Sequence, residues 1–378
     1  MGKEFEILPS PVKGQSDWRE FRALRLANGV TVMLVHDPYS RTFGAAARVA
    51  AGAAADPRDC PGLAHFCEHM VFLGSEDFPS ENAYKAYLAQ HGGRSNASTS
   101  LYATTFYFEV VGDKAAEGAL DRFVSFFVSP LFTQSGTGRE VQAVDSENSK
   151  NLVNDGRRRL QILKEICDQE HYVSKFTTGN NATLPTTSEE ELNKLRESLL
   201  AFHAYHYRPE HLTVTLAGPQ DLDTLQKWAV SRWSAMKSSS FDKFRPEIQQ
   251  LITMAAREAP NMVTGDATEE PDFHPPLLTV RDLLPSGAKG PILMTTKPLR
   301  PLRQLIMFWT LPSAQHIPDS SPLSLLGHLL GHEGPSSIFA HLQNEGLLTA
   351  LSAGPRMSAP DFSIFQVSIN LSPTGEER

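Results

Sequence analysis

The sequence predicts an α+β fold in which helices pack on antiparallel-rich sheets. Short runs of alternating or small apolar residues, which are typical of strands, recur between longer segments whose apolar residues follow helical spacing. Hydrophobic residues make up 40% of the 378 positions, which is enough apolar material for packed cores. The 25 glycines and 26 prolines follow no period, so collagen-like and low-complexity chains are excluded.

Strand and helix signals alternate along the first two thirds of the chain. Residues 24–34 are predicted to form a hairpin, because alternating apolar residues flank Asn28-Gly29, a dipeptide suited to tight turns. Residues 44–51 are small and mostly apolar, as in a buried strand, and 63–73 form a predicted helix that Gly74 would end. The further predicted elements are helices at 80–91, 114–129, 138–163 and 189–207 and strands at 104–111 and 212–218.

The length of 378 residues predicts two or three domains of about 100–200 residues each. Residues 237–300 change character, because three consecutive serines, scattered prolines and the stretch 265–276 are typical of a linker with a poorly ordered insertion. Strand and helix signals then resume at 305–311 and 323–342, and a last strand is predicted at 363–370.

Charge and cysteine content limit the classes of partner and compartment. The formal net charge is −8, so the chain lacks the excess of Lys and Arg expected of a phosphate-binding surface, and we expect no nucleic-acid partner. Cys60, Cys67 and Cys167 cannot form a disulfide framework, which favours a reducing compartment. The N-terminus has no secretory or transit signal, and no run of 18 apolar residues occurs. We therefore predict a cytoplasmic protein without a membrane partner.

The segment most informative about chemistry is His65-Phe66-Cys67-Glu68-His69. On a helix, residues four apart lie one turn above each other, so both imidazoles point to one place, as zinc ligands do. Glu68 lies on nearly the same face, close enough to take a proton from a metal-bound water. The order His-x-x-Glu-His is the inverzincin signature. Two polar histidines beside a core on an ordinary amphipathic helix would give the same pattern, and this alternative remains open.

A catalytic zinc ion needs a third protein ligand, and the predicted helix at 138–163 offers two. Glu140 and Glu147 are seven residues apart, which places them only about 20° from the same helix face. Either carboxylate could therefore reach the metal, and spacing does not choose between them.

Five segments share their order and spacing with a known family. They are Gly62-Leu63-Ala64-His65-Phe66-Cys67-Glu68-His69-Met70 with Phe72-Leu73-Gly74, Ser95-Asn96-Ala97 with Thr99-Ser100, Glu117-Gly118-Ala119-Leu120-Asp121-Arg122-Phe123, Arg139-Glu140-Val141 through Asp145-Ser146-Glu147, and Leu326-Gly327-His328-Leu329 through Gly331-His332-Glu333-Gly334-Pro335. In these segments the chain resembles the pitrilysin family of metallopeptidases, and its insulysin branch in particular. The resemblance covers most of residues 18–235 and 300–372, which makes it far more specific than the five-residue pattern.

This resemblance implies a zinc metalloendopeptidase that acts on short or partly unfolded polypeptides. His65, His69 and Glu147 match the zinc ligands, Glu68 matches the general base, and Glu140 matches a supporting acid. In such an enzyme the base takes a proton from the attacking water and later delivers it to the leaving amine. Zinc is accordingly the expected cofactor.

The resemblance also implies substrate contacts on three surfaces. One is an edge strand on which an extended peptide is laid, another is a pocket after the cleaved bond, and the third is a distal site that holds the substrate's N-terminus. The matching residues are Ser95, Asn96 and Ala97 for the edge strand, Phe72 for the pocket, and His328, Gly331 and Glu333 for the distal site. The residue pattern alone would indicate an ordinary turn, a core aromatic residue and a loop.

The family's repeated unit divides the chain unevenly. Residues 18–235 match one complete domain with the zinc site, 236–300 form a linker and insertion, and 301–378 match the first part of a second copy. The resemblance therefore implies an N-terminal fragment that is weakly active by itself. Its implied partners are peptide substrates and the missing C-terminal half of the enzyme, and association with further copies of itself remains open.

Two alternative functions remain open. One is a non-catalytic scaffold or subunit on the same fold, like the core proteins of the respiratory chain, although a scaffold has no need to keep all four zinc-site residues. The other is a mitochondrial-type processing peptidase. The match at 327–335 and the lack of a transit peptide favour the insulysin type instead.

Overall fold

The computed structural model describes residues 4–259, 291–313 and 321–378, which contain ten strands and eleven α-helices. The strands are β1 (Phe5–Leu8), β2 (Glu20–Leu26), β3 (Thr31–His36), β4 (Phe43–Val49), β5 (Arg94–Thr99), β6 (Thr104–Val110), β7 (Leu212–Gly218), β8 (Gln304–Pro312), β9 (Leu348–Ser358) and β10 (Phe362–Leu371). The helices are α1 (Leu63–Met70), α2 (Ala83–Gln90), α3 (Asp113–Val128), α4 (Gln134–Leu152), α5 (Asp155–Ile166), α6 (Glu189–His206), α7 (Leu222–Trp233), α8 (Pro246–Glu258), α9 (Pro322–Leu330), α10 (Ile338–Asn344) and α11 (Pro373–Glu377). This mixture of helices and sheets confirms the predicted α+β class.

The described residues group into two compact units. The first contains residues 4–149 and 175–259, and the second contains residues 150–174, 291–313 and 321–378. Helix α4 begins in the first unit and its last turn belongs to the second. No helix of the described residues is long and apolar enough to span a membrane.

The first unit is built on a seven-stranded sheet with the order β1-β2-β3-β7-β4-β6-β5. Neighbouring strands are antiparallel except for β3 and β7, which confirms the prediction of an antiparallel-rich sheet. The predicted hairpin forms between β2 and β3, where Gly29 has a φ of 101° that glycine adopts without strain. Strand β5 pairs only with β6 and therefore forms one edge of this sheet.

The core of the first unit lies between this sheet and the helices that cover it. Along β4, Phe43, Ala45, Ala47 and Val49 are buried and alternate with more exposed residues, as expected for a sheet with one covered face. Helix α3 packs on β4 and β6, and α7 packs on β2, β3 and β7. The same core surrounds the inner face of α1, so the histidine-bearing helix rests on a rigid base.

The long helix predicted at 138–163 is two helices in the structure. Helix α4 ends at Leu152, and α5 begins at Asp155 after Asn154, whose side chain accepts a hydrogen bond from the Arg157 backbone at 3.1 Å. Asparagine at this position caps the new helix in place of the missing intrahelical acceptor. The break separates the polar second half of the predicted helix from the half that carries Glu140 and Glu147.

The segment predicted as a linker contains a helix of the first unit. Helix α8 begins with Pro246 at its first turn and buries Ile248, Ile252 and Ala255, which lie on one face of the helix and pack on α6 and on residues 53–55. The linker prediction is therefore wrong for residues 246–258. The predicted insertion at 265–276 lies outside the described residues.

The second unit contains a three-stranded antiparallel sheet with the order β8-β10-β9. Strand β9 was not predicted, because Gly354 and Pro355 interrupt its pattern. The structure accommodates Pro355 on a strand paired on one side only, opposite a register shift in β10. Within this second unit, the Tyr172 hydroxyl donates a hydrogen bond to Asp361 at 2.6 Å.

Candidate metal centre

The two histidines of the predicted motif lie side by side on α1. Its apolar positions face the core, and this burial orients the opposite side of the helix toward solvent. The rings of His65 and His69 are 4.7 Å apart between centroids, and their side chains are 13% and 21% exposed. Both imidazoles are therefore partly accessible, while the backbone that carries them is held by packing.

Glu147 completes the group from α4. Its Oε2 atom lies 3.6 Å from His65 Nε2 and 3.7 Å from His69 Nε2. One candidate ligand atom from each of the three residues lies within 4.8 Å of the others, and this is the one such group of His, Cys, Asp and Glu residues within the described ranges. Ligand atoms of tetrahedral zinc lie about 3.4 Å apart, so the observed spacing fits that ion.

Glu140 does not face the same point as Glu147. Its Oε1 atom accepts a hydrogen bond from His69 Nδ1 at 2.7 Å. The two glutamates are two helical turns apart on α4. In the folded chain Glu147 faces the two Nε2 atoms, whereas Glu140 lies behind the His69 imidazole. A carboxylate behind a ligating histidine is the usual support for that histidine in zinc sites.

Hydrogen bonds fix the tautomers of both histidines. Thr178 offers its backbone carbonyl to His65 Nδ1 at 2.7 Å, and since a carbonyl only accepts, Nδ1 carries the proton. His69 Nδ1 donates to Glu140 in the same way. When both rings are neutral, the Nε2 lone pairs therefore point toward Glu147, which is the arrangement that a zinc ion requires.

The acids around His69 attract positive charge. Burial lowers the pKa of this histidine, but the hydrogen bonds with Glu140 and Glu147 outweigh that effect and raise the pKa to about 9. A site that favours a cation so strongly is chemically suited to a divalent metal ion.

Glu68 lies on α1 between the two histidines and is 8% exposed. The Thr99 hydroxyl, at the end of β5, donates to its Oε2 atom at 2.6 Å. Burial raises the pKa of Glu68, while the hydrogen bond from Thr99 lowers it. A carboxylate with a raised pKa is a better proton acceptor near neutral pH, and its Oε1 atom is left to meet a reactant.

Two partners of the site were missed by sequence reasoning. Thr99 was recognised as part of a family motif, but no role was predicted for it. Thr178 contributes a backbone carbonyl, for which residue type gives no signal. The chain separations, 31 residues from Glu68 to Thr99 and 113 from His65 to Thr178, explain why spacing rules did not find them.

The three residues predicted to bind an extended peptide lie on the edge strand β5. Ser95, Asn96 and Ala97 pair with Phe108, Tyr107 and Phe106 of β6 through one side of the strand. The strand ends at Thr99, next to Glu68, so this edge leads to the candidate site.

Phe72 follows α1 and is only partly buried. Its ring lies 5.1 Å from that of Phe126 and 5.9 Å from that of Phe106, and the Lys85 ammonium is 5.7 Å from its centroid. The side chain thus joins the core with one part and leaves another part accessible.

The predicted distal residues belong to the second unit. His328 lies on the exposed side of α9, Gly331 ends that helix, and Glu333 is exposed in the following turn. A side chain at Gly331 would approach the Gly327 carbonyl to 2.9 Å, so glycine is required for the close passage of the chain.

Comparisons with known proteins relate this chain to a peptidase family. The family model described as Insulinase (Peptidase family M16) matches residues 31–170, and the one described as Peptidase M16 inactive domain matches residues 194–377. The residues of the metal centre, His65, Glu68, His69, Thr99, Glu140 and Glu147, lie within the first match, whereas Thr178 and the predicted distal residues lie outside it. The chain is 36% identical over 364 residues to the A-factor-processing enzyme of Saccharomyces cerevisiae and 36% identical over 363 residues to the insulin-degrading enzyme of Homo sapiens.

Coverage is one-sided in each comparison. Each of these two alignments covers 96% of this chain but 32% of the relative, so the chain spans about a third of the length of the curated relatives it matches. The crystal structure of pitrilysin superimposes with a TM-score of 0.75 at 26% identity, covering 99% of this chain and 36% of that one.

Proposed function

We propose, on the premise that the chain belongs to peptidase family M16, the insulinase family, that it hydrolyses peptide bonds in short or partly unfolded polypeptides with the help of zinc. The observation that carries this proposal is the convergence of His65, His69 and Glu147 beside Glu68. Family membership and donor chemistry both favour zinc among divalent ions.

His65 Nε2, His69 Nε2 and a Glu147 carboxylate oxygen would hold the ion. A zinc ion in this position supplies Lewis acidity toward the scissile carbonyl and lowers the pKa of a water molecule. The protein's own contribution is to keep the three ligand atoms fixed, since Thr178 and Glu140 hold the two rings from behind.

Glu68 would move the proton. Its carboxylate is anchored at Oε2 by the Thr99 hydroxyl, and Oε1 can accept a proton from the attacking water and then release it to the leaving amine. The raised pKa that burial gives Glu68 favours both halves of this transfer. No covalent link between the chain and the substrate is needed.

The outer edge of β5 would bind the substrate backbone. An extended peptide added beside Ser95, Asn96 and Ala97 would pair with main-chain groups, which gives affinity with little demand on sequence. The accessible part of Phe72 would contact the residue after the cleaved bond. In the second unit, the exposed Glu333 carboxylate would meet a substrate ammonium group, with His328 and Gly331 beside it.

Zinc content and peptide cleavage test the proposal directly. The 378-residue chain is expected to bind one zinc ion and to cleave a quenched peptide, and Glu68→Gln is expected to keep the metal while turnover falls at least about a hundredfold. Glu117→Gln, an exposed acid on α3, is the matched control and should change neither measurement.

Two outcomes would overturn parts of this proposal. A chain that binds no zinc, or that cleaves the peptide equally well after metal removal, is not a zinc peptidase. If Glu68→Gln cleaves as fast as the parent chain, Glu68 is not the base.

The partner that we propose follows from the length of the relatives. Because those proteins are about three times longer, a polypeptide equivalent to their remaining length is proposed to complete substrate binding, and the 378-residue chain alone is expected to be weakly active. Adding such a polypeptide should raise turnover of the quenched peptide. A cytoplasmic location is proposed as well, and fluorescence microscopy of a tagged chain would test it.

A further inference from the structure

The N-terminus of α1 is held by a buried carboxylate from outside the helix. Gly62, with a φ of 95°, offers no side-chain cap. Instead, Asp56 accepts hydrogen bonds from the backbone N–H groups of Gly62 at 2.8 Å and Ala64 at 2.7 Å. Asp56 is fully buried, and a negative charge at this end of a helix is favoured by the unpaired N–H groups there.

A buried lysine ties a distant segment to the same turn. Lys175 donates from Nζ to the backbone carbonyls of Ala54 and Asp56, each at 2.7 Å, and its side chain is 3% exposed. Burial lowers the pKa of Lys175, and the Glu258 carboxylate, 3.4 Å from Nζ, opposes that shift. The ammonium group is thus held by two carbonyls and a carboxylate from the end of α8.

Three residues after this anchor, the segment contacts a candidate zinc ligand. The Thr178 carbonyl accepts the Nδ1 hydrogen of His65 at 2.7 Å. The next residue, Gly179, lies directly on the start of α1, because a side chain at Gly62 would come within 2.4 Å of the Gly179 Cα atom. The segment 175–179 is therefore fixed at Lys175 and again at α1, with the Thr178 carbonyl between the two attachments.

We propose that Lys175 is a positioning residue for the metal centre, because its bonds to the Ala54 and Asp56 carbonyls fix the Thr178 carbonyl that holds His65. The partners of Lys175 described above, Ala54, Asp56 and Glu258, are not candidate metal ligands. Lys175 acts through the backbone of residues 176–178, and Asp56 joins both ends of the connection by capping α1 and by accepting from Lys175. The inference deepens the proposed function and rests on it for the zinc ion alone.

The test measures two properties of the whole 378-residue chain. The first is the zinc dissociation constant, obtained by competition with a chelator. The second is the His65 Nδ1 proton in the zinc-free chain, seen by NMR as a ring N–H signal that exchanges slowly with water and disappears in His65→Gln. Lys175→Met is expected to weaken zinc binding about tenfold and to lose the slowly exchanging signal.

A matched control separates positioning from general destabilisation. Arg232→Met removes a largely buried cation that pairs with Glu117 and Asp121, so it should lower the unfolding midpoint as Lys175→Met does. Its zinc dissociation constant and its His65 signal should both match those of the parent chain. Glu258→Gln, which leaves Lys175 in place, should change both measurements in the same direction as Lys175→Met, by a smaller amount.

The outcomes distinguish this inference from the proposed function. If the parent chain binds zinc and Lys175→Met leaves both the zinc constant and the His65 signal unchanged, Lys175 is not a positioning residue. If Lys175→Met does not fold, an unchanged constant and signal in Glu258→Gln overturn the inference instead. A parent chain that binds no zinc defeats the proposed function, whereas loss of the His65 signal in Lys175→Met would still support the positioning role.

Discussion

Two histidine pairs in this chain have the same four-residue spacing but very different surroundings. His65 and His69 lie on α1 with ring centroids 4.7 Å apart, and both Nε2 atoms face Glu147. His328 and His332 flank the end of α9 with centroids 6.0 Å apart, and both are exposed. Spacing alone thus indicates where imidazoles can meet, and it does not make a metal site.

The ring partners explain the difference between the pairs. In the first pair, Nδ1 donates to a carbonyl or carboxylate, so the Nε2 lone pairs of the neutral rings face the place of the metal. In the second, His332 Nδ1 accepts from the Gly334 backbone at 3.0 Å, which leaves the hydrogen of the neutral ring on Nε2. The comparison teaches that the hydrogen-bond partner of Nδ1 decides whether Nε2 of a histidine can bind a metal.

The largest effect should come from removing one ligand of the first pair. We expect His69→Gln to weaken zinc binding by more than about a hundredfold, since even loss of a supporting partner costs tenfold or more. His328→Gln should leave the zinc dissociation constant unchanged. Competition with a chelator measures both, and equal weakening in the two variants would remove the distinction between the pairs.

Removing the acid behind His69 should have the next largest effect. We expect Glu140→Gln to weaken zinc binding about tenfold, because the amide cannot supply the negative charge that supports the imidazole. Glu333→Gln, beside His332, is the corresponding change in the second unit and should not alter zinc affinity. A zinc constant in Glu140→Gln equal to that of the parent would mean that Glu140 contributes nothing to the site.

Thr99 should affect turnover without affecting the metal. Because its hydroxyl holds Glu68 at 2.6 Å, Thr99→Val is expected to slow peptide cleavage about tenfold, the value of one charge-assisted hydrogen bond. Its zinc content should be that of the parent chain, and Thr349→Val on the exposed face of β9 should change neither property. A large loss of zinc in Thr99→Val would contradict the assignment of Thr99 to the base alone.

The smallest effect concerns a buried histidine outside the metal centre. Burial lowers the pKa of His206 to about 3, below its ordinary value of 6.5, so the unfolded chain takes up this proton first as the pH falls. His206 therefore contributes stability that is present above pH 6.5 and is lost progressively below it, by at most about 2 kcal/mol at pH 5.

Urea unfolding measured at several pH values between 5 and 6.5 checks this prediction. The unfolding free energy of His206→Phe should depend less steeply on pH than that of the parent, whereas His332→Gln, at an exposed site, should leave the slope unchanged. Identical slopes in all three proteins would show that His206 is not held neutral by burial.

Local pattern was sufficient for most of the fold. Asn28-Gly29 marked the first hairpin, and the apolar spacing and end signals marked α1, α2, α3 and α6 to within about three residues. Two features were misread although their signals are present. Asn154 followed by Asp155 is a helix start inside the predicted long helix, and Pro246 with Ile248 and Ile252 is a helix start in the predicted linker.

The sequence alone determined the α+β class, the pair of histidines with Glu68 between them, and the presence of two candidate acids, because all of these depend on the periodicity of single elements. Residue spacing left Glu147 and Glu140 equivalent, and the family resemblance assigned Glu147 to the metal. Only the tertiary structure shows Glu147 facing both Nε2 atoms and brings Thr99, Thr178 and Lys175 into contact with the elements of the site. The physical reason is that a ligand atom is positioned by hydrogen bonds and packing between elements distant in the chain, and residue spacing carries no information about those contacts.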